Sequence, residues 1–259
     1  MIAQRATHSG MASLLACLWL AVLGAGHAAA MTSQGALGDV LFGSAARDDR
    51  RAPPPPVARY VSDDGEAFVL DRSGGAPLLK FQQSSEVFVL NPSQASRGDI
   101  IYRNELGEPV LRVTRLGGLT LFSHDRPGGA AVAMAGQAAS LRLQAMSPSA
   151  LGQRFLQASV KASRAAKHLI VFDAQEITPG SEAVFADAAA VTVEAVLRLA
   201  RRADGRSVLA RFGRVLFTPG TQSSARVERG VMNITVEPSK GIAGRPSSAR
   251  IVQAVARAQ

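Results

Sequence analysis

The chain has 259 residues, 47% of them hydrophobic and 19% charged, with 29 Lys and Arg against 20 Asp and Glu, a formal net charge of +9. A single cysteine excludes a disulfide-stapled mini-protein, and a mean hydropathy of +0.10 excludes a wholly disordered chain. The length suits one large domain or two small ones, and none of these quantities names a chemistry.

Residues 1–30 read as a secretory signal. Arg5 supplies a basic start, Met11 to Gly26 an apolar run too short for a stable span, and Ala28-Ala29-Ala30 a small-residue cleavage site. Cys17 follows Leu14-Leu15-Ala16 as in a lipobox, but the apolar run continues through Leu18-Trp19-Leu20, which departs from a lipoprotein signal. Cleavage after Ala30 removes the only cysteine and the only tryptophan, leaving no transmembrane segment and a chain that relies on its core. Residues 31–59 lack periodicity and contain Pro53-Pro54-Pro55-Pro56, the pattern of a disordered, proline-rich spacer.

From residue 60 the pattern becomes an α+β domain, β-rich over 60–146 and helix-rich over 147–259. Apolar runs at Phe68–Leu70, Leu78–Phe81, Val87–Leu90, Ile100–Tyr102, Val110–Val113 and Leu119–Phe122 alternate with turn residues such as Ser73-Gly74-Gly75 and Gly117-Gly118. This predicts an antiparallel meander of six or more strands. A weak repeat relates the first three runs to the next three by a shift of 32 residues. A further hairpin is expected at Ala131–Ala135 and Ser140–Ala145.

Ser147-Pro148 predicts a helix start, with Leu151, Phe155, Ala158 and Ala162 on the apolar face. His168–Phe172 reads as a buried strand. Thr178-Pro179 opens a second helix with Phe185, Ala188, Thr192, Val196 and Leu199 as its stripe. Strands are expected at Val208–Phe212, Val215–Phe217 and Met232–Val236. A last helix from Pro246 to about Ala256 packs through Ile251, Val252 and Val255.

Sites of chemistry are sparse. Ser123-His124-Asp125 holds the residue types of a catalytic triad, but consecutive side chains diverge, and a turn at a strand end explains the stretch. His168 opens an apolar strand. No HExxH, no His pair at helical spacing and no Cys set exists, so neither a metal site nor a cofactor is expected. Glu105, Glu108 and Asp173 are the carboxylates to examine for hydrolysis. The segment Gly241 to Ser248, with Arg250 beyond it, places glycines, cations and hydroxyls at a helix N-terminus, where free N–H groups favour anions. Gly241, Gly244, Arg245, Ser247, Ser248 and Arg250 are therefore the candidate anion-binding residues, set against a plain helix entry.

Several phrases also carry a resemblance: Phe68 to Gly74, Gly98 to Asn104, Gly107 to Arg112, Thr114 to Thr120, Ile177 to Glu182 and Gly244 to Ser248. Over about residues 60–255 the chain resembles an uncharacterised family of exported alphaproteobacterial proteins, a domain of unknown function. The resemblance implies export and no activity, so it transfers no site residue. With few aromatics for stacking, nucleic acid is not the expected partner. The expectation is a periplasmic or secreted binding or structural module, without catalysis, contacting an anionic envelope component or an acidic protein. The alternative is a secreted hydrolase whose Asp, Glu and His residues are gathered by folding.

Overall fold

The computed structural model describes residues 56–123 and 126–258. The signal over 1–30, the spacer up to residue 55, and His124 and Asp125 lie outside the described residues.

The first strand, β1, spans Val57–Ser62, so residues 57–59, expected in the spacer, are already paired. It is followed by β2 (Ala67–Asp71), β3 (Leu78–Phe81), β4 (Phe88–Val89), β5 (Asn91–Gln94), β6 (Ile100–Arg103), β7 (Pro109–Val113), β8 (Leu119–Leu121) and β9 (Ala130–Gln137). All pairings are antiparallel, and the sheet runs β4-β3-β2-β1-β9-β8-β7-β6-β5. Only Leu90 separates the two edge strands β4 and β5 in sequence. One continuous piece of chain thus pairs with both edges, so the sheet curls into a near-closed barrel.

A barrel of this size has an interior just wide enough for side chains to fill it. Tyr60, Phe68, Leu70, Leu79, Leu90, Leu111 and Leu121 are almost fully buried there, with Tyr60 stacked on Phe68 at 5.5 Å. The outward positions carry Arg59, Lys80, Arg112 and Thr120. Apolar inside and charged outside is the reverse of a membrane-spanning barrel, whose strands also need ~9–11 residues.

The 32-residue repeat is visible in the pairing. Phe68 faces Phe81 and Leu70 faces Leu79 in β2–β3; Ile100 faces Val113 and Tyr102 faces Leu111 in β6–β7, each partner displaced by that shift. Turns between these strands use Gly107 and Gly117 at φ of 85° and 86°, where a side chain is disfavoured.

Residues 138–147 form no strand, so the expected hairpin at Ser140–Ala145 is absent. Its start is instead bound to Asp71: the Ser140 hydroxyl (2.6 Å) and the Leu141 N–H (2.9 Å) both donate to Asp71 Oδ2. Helix α1 (Pro148–Ala166) starts as expected, with the Ser147 hydroxyl accepting the Ala150 N–H and Leu151, Phe155, Ala158 and Ala162 buried. Next come β10 (Val171–Ala174), α2 (Glu182–Ala200), a short helix α3 (Gly205–Leu209), β11 (Arg214–Pro219), β12 (Ser224–Glu228), β13 (Val231–Val236) and α4 (Ser248–Arg257).

A second sheet has the order β10-β11-β13-β12, with β10 and β13 both parallel to β11. The run Val208–Phe212, expected as a strand, is helix and turn. Its buried members Val208, Leu209 and Phe212 recur at helical spacing, which a short apolar run leaves ambiguous. The core of this half lies around α2, which buries Phe185, Ala188, Thr192, Val196 and Leu199. Phe155 stacks on Phe217 at 5.3 Å. The Thr192 hydroxyl is satisfied by the Ala188 carbonyl at 2.8 Å.

Candidate functional site

The segment before α4 is shaped by backbone geometry that only glycine meets. Gly241 sits at φ 54°, ψ −133°. A Cβ on Gly244 would lie 1.8 Å from the Glu237 carbonyl oxygen, because Glu237 N–H donates to Gly244 O at 2.6 Å. Both glycines therefore close a turn; neither is needed to admit a ligand.

This turn delivers Arg245 into the interior, 4% exposed. Its Nε donates to Asp187 Oδ2 of α2 at 2.5 Å and its Nη2 to the Val87 carbonyl of the barrel at 2.7 Å, while Nη1 lies 3.9 Å from Glu86 Oε1. Glu86, wholly buried in the β3–β4 loop, accepts the Ser248 N–H at 3.0 Å and the Ser248 hydroxyl, and Arg198 of α2 approaches it at 3.5 Å. Glu105, from the β6–β7 turn, accepts the Ser247 N–H at 2.7 Å and pairs with Arg250 at 2.9 Å.

The N-terminus of α4 does hold anions, and they are this chain's own. Two barrel carboxylates take the helix N–H groups that sequence reasoning offered to an external anion, and in doing so they join the barrel to the α/β half. A cavity of about 150 Å³ remains beside them, lined by Glu86, Asn104, Glu105 and Arg245 among others.

Of the six candidate residues, Arg250 alone lines the larger open cleft, of about 610 Å³, between β12 and α4. There it joins Arg226 and Arg257, with Ser223, Ser224 and Gln253 as neutral polar lining and Glu228 as the lining carboxylate. Arg250 also donates to the Ser223 carbonyl at 3.4 Å. Arg226 and Arg257 have no carboxylate partner among the described residues.

The residues considered for hydrolysis are held apart by separate partners. His168 places Nδ1 3.2 Å from the Ala166 carbonyl and Nε2 3.0 Å from the Phe212 carbonyl, so its ring braces two loops. Glu108 accepts from the Asn104 side chain at 2.8 Å within its own turn. Asp173 pairs with Arg214 on the second sheet. Among the described residues no group of three or more His, Cys, Asp or Glu side chains could hold a metal ion. No described helix is long and apolar enough to cross a membrane.

Sequence reasoning missed Glu86 and Asp187, whose role depends on partners 162 and 58 residues away. Asp71, by residue type a possible oxygen ligand whose spacing with Asp63, Asp64 and Glu66 matches no calcium loop, is instead bound within the chain by Ser140 and Leu141. Burial raises the pKa of that carboxyl, but hydrogen bonds from Ser140, Ser73 and the Leu141 N–H outweigh it and bring it down to about 2.

The described residues form an apolar-cored barrel joined to an α/β layer by buried ion pairs, with Arg226 and Arg257 outside those pairs. The chain belongs to the family described as a domain of unknown function, DUF4908, whose model matches residues 36–255. Neither a curated protein nor a solved structure matches it.

Proposed function

We propose that the protein is an exported envelope or periplasmic module, without catalysis, that binds an anionic partner through the cleft between β12 and α4. The observation that carries this reading is the cleft itself. Arg226, Arg250 and Arg257 converge with hydroxyl and amide groups in a space of about 610 Å³, where Glu228 is the lining carboxylate. Guanidinium groups offer paired donors that match the geometry of carboxylate and phosphate oxygens. Glu86 and Glu105 already take N–H groups at the start of α4, which favours the outer cleft over the helix N-terminus as the seat of an external anion. Export rests on the residue 1–30 pattern.

The test is twofold. Fractionation of expressing cells reports whether the chain leaves the cytoplasm. Retention on isolated envelope fractions is then compared between the parent and the Arg226→Ala, Arg257→Ala double variant. The reading requires export, and a loss of affinity of at least about fivefold in the double variant, since taking one guanidinium away from a phosphate or carboxylate costs on the order of 1 kcal/mol. Cytoplasmic retention, or unchanged affinity, defeats it.

A further inference from the structure

One end of the four-stranded sheet combines features that the cleft does not use. Three loops meet there. Val171 N–H donates to the Gly213 carbonyl and Gly213 N–H to the Gly230 carbonyl, both at 3.0 Å, and His168 reaches the Phe212 carbonyl at 3.0 Å. The segments Lys167–Val171, Arg211–Arg214 and Arg229–Gly230 therefore share one rim.

That rim continues onto α1. The Ser159 and Ser163 hydroxyls accept the Phe172 and Ile170 N–H groups at 2.8 Å each, which lays this side of the helix along the open edge of β10. Leu156 and Val160 precede those serines by three positions, one turn back on the same side. They are 69% and 58% exposed, and Leu169 and Val171 are 71% and 43% exposed. Four of the six large hydrophobic residues that the described structure leaves exposed thus lie on this one side; Leu116 and Met134 are the others.

The charges around them have one predominant sign. Residues 148–167 contain no carboxylate, and Arg164 and Lys167 fall on the side of Leu156 and Val160, whereas Arg154 lines a cleft against α2. Across the rim Arg229 is exposed, while Arg211 donates to the Val255 and Ala258 carbonyls at the end of α4. The carboxylates of the area are Asp173, already paired with Arg214, Asp204, paired with Arg202, and Glu228 at the end of β12.

We propose that this rim, with Leu169 at its tip, is a docking face for an anionic phospholipid surface. Exposed leucine and valine side chains enter the headgroup region while lysine and arginine meet the phosphates, the arrangement by which interfacial segments hold to anionic membranes. Charge complementarity selects this occupant over a second copy of the chain, because apposing two such rims brings like charges together. The face is centred on the β10 edge of the sheet, and its far end, Arg229 in the β12–β13 turn, follows directly on Glu228 of the arginine cleft. It goes beyond the anionic-partner reading and survives or falls separately.

The experiment is vesicle flotation of the full chain with phosphatidylcholine alone and with phosphatidylcholine containing about 30% phosphatidylglycerol. The parent is compared with Arg164→Glu, Lys167→Glu, Arg229→Glu and with Leu169→Ser; all four positions are exposed, and the urea midpoint of each variant checks that it folds. Residues 11–26 are common to every variant, so their own lipid affinity cancels. The parent binds the phosphatidylglycerol vesicles better than the neutral ones. Charge reversal weakens that binding at least about tenfold, Leu169→Ser weakens it about threefold, and Arg226→Ala, Arg257→Ala leaves it within about twofold. No preference for the anionic vesicles, or equal binding by the charge-reversed variant, overturns the proposal. If the parent fails on vesicles yet is still retained by envelope fractions, the lipid face falls and the cleft reading stands. Failure on both removes both.

Discussion

Replacing Glu86 with alanine tests the weld between the two halves. The carboxylate is fully buried; its loss leaves the Ser248 N–H and hydroxyl without acceptors and removes one of the two carboxylates beside Arg198, which keeps Glu194 at 3.7 Å. Arg245 keeps Asp187 at 2.5 Å and the Val87 carbonyl at 2.7 Å, so its guanidinium is not orphaned. Each of the two Ser248 donors left buried without a partner costs about 1–3 kcal/mol, and the volume left empty by the side chain adds to that. The expected loss is therefore about 3–5 kcal/mol for Glu86→Ala and about 1–2 kcal/mol for Glu86→Gln, which keeps the volume and one acceptor. Urea unfolding reads it as a shift in midpoint at constant slope, and thermal unfolding as a fall on the order of 10 °C. Arg202→Ala serves as the comparison: its pair with Asp204 is about half exposed on both sides and contributes under about 1 kcal/mol. A Glu86→Ala loss no larger than that of Arg202→Ala would refute the reasoning.

Other consequences follow from single groups. The Tyr60 hydroxyl is buried in the barrel without a hydrogen-bond partner, so Tyr60→Phe is expected to stabilise by roughly 1 kcal/mol in urea titration; destabilisation by as much contradicts the barrel interior described. Gly244→Ala drives a methyl against the Glu237 carbonyl and is expected to cost at least about 1–3 kcal/mol, whereas a neutral result means that the turn is looser. The Asp71 pKa falls from 3.8 to about 2 on folding, so its stabilisation is complete above about pH 4 and drains away as pH drops toward 2. Unfolding midpoints of the parent should decline across that window more steeply than those of Asp71→Asn, and parallel curves would contradict the assignment.

How much of this could be read from the chain differs by element. The runs that form β2, β3, β6, β7 and β8 are short apolar stretches bounded by turn signals, and local pattern suffices for them. Strand β5, Asn91–Gln94, is polar along its length and exists because β6 pairs with it. Strand β12, Ser224–Glu228, has a similarly weak pattern. The parallel pairing of β10, β11 and β13 is non-local, and no run of residues announces it. The helix stripes on α1 and α2 are legible because periodicity and burial coincide. At α4 the sequence marks a helix start whose first N–H groups lack helical partners. It cannot say that Glu86 and Glu105, from loops far away in the chain, take those N–H groups, because such pairing is decided only when the barrel docks.

The central claim is that the outward arginines of the β12–α4 cleft hold an anionic partner. Its most direct test is the affinity of the parent and of Arg226→Ala, Arg257→Ala for isolated envelope membranes, measured across a range of salt concentrations. Binding is expected to weaken as salt rises, with the double variant weaker by at least about fivefold at low salt and showing a shallower salt dependence. Affinity that ignores salt, or two superimposable curves, would contradict it.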